Sequence, residues 1–515
     1  MFRDESTKVI QKAHAQWGVQ GPPSDSSEAS GSSPPSISPS GTSGRSRTSI
    51  AESTGSSSPV SSEESRLAAP RVPLEITTTS VDRAVQFYLE HYVIGLPDEA
   101  KSGYELQQHR WVFAPTTRQV MAAVGLAGLS NIAGDKDTML MARQQYGIAL
   151  RDTAMALQNF QHHDVDITLR AVVMLGMFEI VRGDDQPTKG AQTHIMGGAA
   201  LMRSVLPFFQ SSPDGLRGLV QICYSMVATV MCSVQQLSPE PNVMIPTEPV
   251  PSMAQGILPP AFFDWIHLGS STAVPEDVPA VQLIAIIARF VQLAALIRSR
   301  LLKDGRSETL DILKQALEIE RELDEWETRQ QDPWLFREER VGGNFFPPDA
   351  VFEGCYHVYT DMWTARVWTN YRFARILVNQ LLVEAIERFP TTAPSLLSAD
   401  QQRRSLDVIR RVARDTLVST PTHYRHPRLE RRHRELVEKT SGGAEIGAVQ
   451  IPTLLFQLKV AAAAPGVPHS YYVWAREMLR TVFADTGMLQ ARRLGDILEK
   501  ARPASPPAFI KLEDL

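Results

Sequence analysis

"THIMGGAALMRSV", residues 193–205, has two readings that belong to different folds. As a loop, His194 followed by Gly197, Gly198 and Ala199 is a cradle of backbone donors, like the oxyanion hole of an α/β hydrolase. As a helix, the same small residues make a shallow groove for a neighbouring helix. The loop reading needs a strand before it and a G-x-S-x-G nucleophile elbow after it. The sequence has no such elbow, and strand-like alternation is almost absent from it. Two glycines inside a helix cost about 2 kcal/mol relative to alanines, so a chain keeps them where something approaches the backbone closely. The facing helix is then 164–182, and His194 lies within reach of Glu179.

The flanking sequence supports the helix. Residues 80–93 open with Ser80 as the expected N-cap. Across 139–160, Met139, Ala142, Tyr146, Ala149, Thr153, Leu157 and Phe160 recur at three- and four-residue steps, one face of a helix. Residues 164–185 are apolar nearly all round after an N-terminal Asp, as in a central helix. Helical periodicity returns over 278–303, 307–329, 349–386, 400–418, 444–463, 469–486 and 488–501. The expected fold is all-α, an irregular array of packed antiparallel helix pairs. A helical domain is expected over 72–515, with the Pro-rich loop 238–260 between its halves. Residues 1–71 read as a disordered Ser/Pro-rich linker, because such a composition cannot offset its ordering entropy. Within it, 1–17 has the pattern of a short amphipathic helix (Val9, Ile10, Ala13, Trp17). Ser46 and Ser49 beside Arg45 and Arg47 are phosphorylation candidates in an otherwise plain linker.

Composition bounds the function. The chain has 515 residues, 43% apolar and 21% charged, with net charge −5, so it has no overall basic field for nucleic-acid phosphates. Cys223, Cys232 and Cys355 are too far apart for a C-x-x-C zinc site or a disulfide framework. The start, "MFRDESTKVI", lacks a signal-peptide core. The apolar run 278–297 carries Gln282, Arg289 and Gln292 and reads as a buried core helix, with no membrane expected.

The remaining candidates for chemistry have plainer readings. Asp184 and Asp185 sit in a Gly/Pro turn with no third carboxylate, unlike the aspartate-rich helix of an all-α terpene cyclase. His162 and His163 adjoin Asp164 and Asp166, but neighbouring side chains diverge, and an aspartate there caps the next helix. The basic stretch 424–439 (Arg425, Arg428, Arg431, Arg432, Arg434) has the look of a nuclear-localisation or anion-binding patch. Its interleaved Glu430 and Glu435 favour a solvated helix with local ion pairs. Tyr356, Tyr359, Trp363, Val367 and Tyr371 fall near one helical stripe, read as core ahead of a ligand cage. No residue is assigned a catalytic, cofactor-binding or metal-binding role.

Four stretches together resemble the regulatory half of fungal binuclear zinc-cluster transcription factors, the fungal-specific transcription factor domain. They are "QYGIALRDTAMALQN" (145–159), "LRAVVMLGMFEIVRGDD" (169–185), "THIMGGAALMRSV" (193–205) and "WTNYRFARILVNQLL" (368–382). The resemblance spans roughly 72–500, and "MFRDESTKVIQKAHAQ" resembles the segment that follows the family's six-cysteine cluster. Those six cysteines are absent, so Met1 is expected to be an internal methionine of a longer protein, a truncated gene model. The resemblance implies a nuclear regulator of RNA polymerase II genes. Its implied partners are co-regulators, with a homodimer and a small-molecule effector as further options. DNA contact and zinc are implied only through a cluster these residues lack. The alternatives are a helical protein-binding scaffold without a DNA link and, less favoured, an all-α metal-dependent enzyme.

Overall fold

Helices follow the apolar periodicity almost element by element. The computed structural model describes residues 78–94, 110–158, 165–183, 190–191, 193–198, 201, 220, 223–228, 231, 258, 260–273, 275–300, 306–341, 347–430, 433, 447–448 and 451–500. Two units divide the chain, Met1–Leu74 and Glu75–Leu515; the first lies outside the described residues, as does the linker reading of 1–71. The Pro-rich stretch 238–260 is also outside them, apart from Leu258 and Pro260.

The first group of helices comprises α1 (Ser80–Tyr92), α2 (Arg110–Phe113), α3 (Pro115–Ala133), α4 (Lys136–Gln158) and α5 (Val165–Arg182), followed by helical residues at 190–191 and 193–198. The cap of α1 is Thr79, one residue earlier than Ser80. Thr79 as N-cap places Asp82 at the third helical position, where its carboxylate accepts from the Thr79 amide at 3.2 Å. The Thr79 hydroxyl in return accepts from the Asp82 amide at 3.1 Å. A Ser80 cap would put Arg83, which has no acceptor, at that position.

α3 is buried around its circumference and packs against α1, α4 and α5. It also meets α13 (His469–Thr486), which is followed by α14 (Leu489–Lys500), so the two ends of the unit close on it. Glycines make this possible. A Cβ on Gly125 would lie 2.0 Å from the Ala84 carbonyl oxygen, and one on Gly128 would lie 2.6 Å from that of Thr486. Tyr92 donates to the Thr486 carbonyl at 2.5 Å. The Asn131 amide donates to the carbonyls of Val181 and Gly487, each at 2.8 Å, tying the ends of α5 and α13 together.

The second group holds α6 (Pro260–Thr272), α7 (Val278–Arg300), α8 (Arg306–Thr328), α9 (Met362–Arg388), α10 (Ala399–Val418), α11 (Thr420–His423) and α12 (Ile451–Ala463). α9 is its axis, buried along nearly all its length and packed by α7, α8, α10 and α12. Among the described residues one stretch, Pro275–Ile297, is long and apolar enough to cross a membrane; 67% of its apolar window is buried inside the protein, as a core helix would be. Buried residues from Ala84 to Leu498 form one contiguous core, and a small satellite gathers Ala350, Val351, Tyr356, Val358 and Leu429.

Short strands correct two helical readings. β1 (Val93–Ile94) pairs antiparallel with β4 (Gly447–Ala448), and β2 (Arg337–Arg340) pairs antiparallel with β3 (Cys355–Val358). Residues 349–361 are therefore not helical apart from a single 3-10 turn at Phe352–Gly354. α9 starts only after Asp361, whose carboxylate caps the Thr364 amide at 2.6 Å. α12 is described from Ile451, with Pro452 in its first turn, where an amide N–H would have no helical partner, and the described Gly447–Ala448 ahead of it are strand.

Candidate functional site: buried polar nodes

His194 enters a node shared by three helical segments. Tyr146 points from α4 toward α5, and its hydroxyl lies 2.7 Å from Glu179 Oε1 and 2.7 Å from His194 Nε2. The hydroxyl donates its one proton to the carboxylate, so it accepts from His194 Nε2–H. Glu179 Oε2 also lies 3.2 Å from Arg182 Nη2. The Tyr146 ring stacks on Phe178 with centroids 4.3 Å apart. Burial pushes the His194 imidazole down to about 4. Burial and then the Glu179 charge push the Tyr146 hydroxyl up. At neutral pH the node is therefore an un-ionised phenol set between a neutral imidazole and the Glu179 side chain. Such a group ties helices together and fixes a tautomer; an imidazole at about 4 exchanges few protons near pH 7.

The opening stretch is thus helical over 193–198, and its facing helix is α5, as expected. Two details differ. His194 reaches Glu179 through Tyr146 rather than directly. The closest approach falls at other glycines: a Cβ on Gly190 would meet Glu179 Cγ at 2.9 Å, and one on Gly176 would meet the Ala191 carbonyl oxygen at 3.4 Å. At Gly198 a Cβ would touch Leu169 and Val172 at 3.4 Å, and at Gly197 it would meet nothing within 4 Å. The segment comes nearest to α5 about two turns earlier than the Gly197–Gly198 pair indicates.

A second node centres on Arg375, which is 1% exposed in α9. Its guanidinium reaches three carboxylates of α8: Glu320 at 3.0 Å, Asp324 at 2.5 Å and Glu327. It also meets the Tyr371 hydroxyl. Asn379 donates to Glu320 Oε2 at 2.6 Å, and Arg411 of α10 holds Glu327 at 2.7 Å. Burial pushes Glu320 up to about 7, with Arg375 pulling the other way. The nearby carboxylates hold Arg375 well above its usual range against the effect of burial. Sequence reasoning passed over this node, although a signal exists. Tyr371, Arg375 and Asn379 repeat at four residues on a helix otherwise apolar at those positions, and Glu320, Asp324 and Glu327 repeat at four and three.

Two residues of the aromatic series, Tyr356 and Tyr359, lie on β3 and the following loop, while Trp363, Val367 and Tyr371 lie on α9. All five are buried, which supports core over cage but removes the single helical stripe. Tyr359 instead helps hold a third buried charge. Arg372 donates to Tyr359 Oη at 2.8 Å and to His357 Nδ1 at 3.2 Å, and lies over the Phe336 ring at 4.8 Å. His357 Nε2 faces Asp415 at 4.0 Å, so the carboxylate balances Arg372 across an imidazole. Burial, with Arg372 next, holds His357 well below its usual range.

The basic stretch departs from expectation where it is described. Residues 424–430 are irregular and turn, not helix, with Pro427 in their midst; the Leu429 amide closes on the His426 carbonyl and Arg428 reaches Asp349 at 2.5 Å. Arg431, Arg432, Arg434 and Glu435 lie outside the described residues, as do His162, His163, Asp164, Asp184, Asp185 and Cys232. Cys223 and Cys355 are buried free thiols. Among the described residues no group of three His, Cys, Asp or Glu side chains is placed to hold a metal ion.

A family model matches part of the chain. It is described as the fungal specific transcription factor domain and covers residues 114–334. Three of the four resembling stretches lie inside that range, and 368–382 lies beyond it. No curated protein matches, and no solved structure does.

Proposed function

Because residues 114–334 carry a fungal specific transcription factor domain, we propose that this chain is the regulatory body of a fungal zinc-cluster transcription factor, acting in the nucleus on RNA polymerase II genes. The observation that carries the reading is the family match itself. It covers α3 to α5, whose buried faces and Tyr146–Glu179–His194 node hold the first helical group together. The chemistry of the nodes agrees with a non-enzymatic role. Their charges are spent on one another, and burial pushes the imidazole of His194 down to about 4 and that of His357 well below its usual range. Direct DNA recognition by this chain is not expected. Net charge is −5, and the sequence lacks the six cysteines that fold a zinc cluster. Co-regulators, a second copy and a small-molecule effector are the partner classes this reading supplies.

The test fuses residues 72–515 to a heterologous DNA-binding module and measures a reporter driven by that module's site. A change in reporter output, up or down, is expected. A folded, nuclear fusion that leaves the reporter at its baseline under inducing and non-inducing growth conditions refutes the regulatory reading. Purified chain should bind DNA only weakly and with steep salt dependence.

A further inference from the structure

We infer that the outward face of α4 docks an acidic amphipathic helix of another protein. Its fully buried residues are Ala142, Ala149 and Thr153, joined by the part-buried Met139 and Tyr146, and that face packs against α3 and α5. Five of the eleven exposed large apolar side chains among the described residues lie on it: Leu140, Met141, Leu150, Met155 and Leu157. At 100° per residue, Leu140, Gly147, Leu150, Ala154 and Leu157 share one stripe about 100° wide that runs beside the buried face.

Gly147 sits at the middle of that stripe, and its environment differs from that of Gly125 and Gly128. The only side chain near its virtual Cβ is Arg151 Nη1 at 3.8 Å, so among the described residues nothing in the fold uses the missing side chain. A helix-interior glycine destabilises relative to alanine, and close approach of another backbone is the ordinary reason to keep one. Here the approaching backbone comes from outside.

Charge selects the occupant. Lys136 and Arg143 project within the stripe and Arg151 beside it; all three are exposed and have no carboxylate partner among the described residues. Several exposed arginines elsewhere, Arg289, Arg411, Arg414 and Arg428 among them, are answered by carboxylates of the fold itself. A second copy crossing antiparallel at Gly147 would set Arg143 against Arg151, like against like. Glutamates or aspartates flanking an apolar helix face would answer all three cations. The docking surface can be tested without the regulatory reading; only its biological meaning rests on it.

The experiment uses the full chain and a fluorescent helical peptide with a leucine/phenylalanine face flanked by glutamates. A matched peptide carries lysines in place of the glutamates. Anisotropy should show binding of the acidic peptide that weakens as salt rises. The double variant Arg143→Glu/Arg151→Glu should lose about tenfold in affinity for it and gain for the lysine peptide. Gly147→Leu should lose about tenfold with a melting temperature that does not fall, because its Cβ meets only the end of Arg151 and leucine is the better helix former. No binding of the acidic peptide, or binding insensitive to both variants, overturns the assignment. So does a concentration-dependent dimer abolished by Gly147→Leu, or binding of anionic vesicles in place of the peptide.

Discussion

Replacing Tyr146 by Phe tests the central node with the smallest available change. The ring and its stacking on Phe178 at 4.3 Å are kept, so only the hydroxyl is lost. That hydroxyl makes two 2.7 Å hydrogen bonds, one to the Glu179 carboxylate and one from His194. A bond to a charged group contributes about 1.5–3 kcal/mol and a neutral one about 0.5–1.5. Glu179 retains Arg182 at 3.2 Å, which softens the loss, but it is only 9% exposed and cannot fully rehydrate. A destabilisation of about 2–3 kcal/mol is expected. Urea unfolding followed by circular dichroism should show a lower midpoint at unchanged slope. His194→Ala should destabilise too, and the double variant should cost less than the sum, with a coupling of about 0.5–3 kcal/mol. Strictly additive losses, or a wild-type midpoint for Tyr146→Phe, refute the relay. A fully stable His194→Ala protein that has lost all reporter output would instead favour the catalytic reading.

Glu320→Gln should flatten one part of the pH profile. The folded carboxyl at about 7 lies above its ordinary 4.5, so the native state holds the extra proton between those values. Stability from this group is full below pH 4.5 and declines as pH rises to about 7, by roughly 3 kcal/mol, and the variant's ΔG-versus-pH curve should lack that decline. The same slope in both proteins sinks the assignment. Gly125→Ala should destabilise by about 3 kcal/mol or more, since its Cβ would sit 2.0 Å from a carbonyl oxygen, whereas Gly197→Ala should stabilise by up to about 1 kcal/mol. Thermal melts of the two single variants compare them directly, and equal shifts would contradict the seam. Asn131→Ala should cost about 1–3 kcal/mol by unpairing the Val181 and Gly487 carbonyls, with faster amide exchange at the ends of α5 and α13 as its signature.

Local pattern determined most of what the sequence shows by itself. Three- and four-residue apolar spacing is a property of neighbours along the chain, so the spans of α7, α8, α10, α13 and α14 were legible within a few residues. The missing hydrolase elbow and the family-like stretches, which fall largely within residues 114–334, were equally local. Short strands were not. Cys355–Val358 is buried at every position, and four buried residues have no period that separates strand from helix; their pairing with Arg337–Arg340 decides it. The polar nodes depend on tertiary structure for the same reason. Glu320 and Arg375 are 55 residues apart, and Tyr146 and His194 are 48 apart. Each reads alone as a surface charge or a core aromatic. Only the crossing of α8 with α9, and of α4 with α5, brings a buried donor to its acceptor. Burial then moves their proton affinities in directions that no sequence spacing encodes.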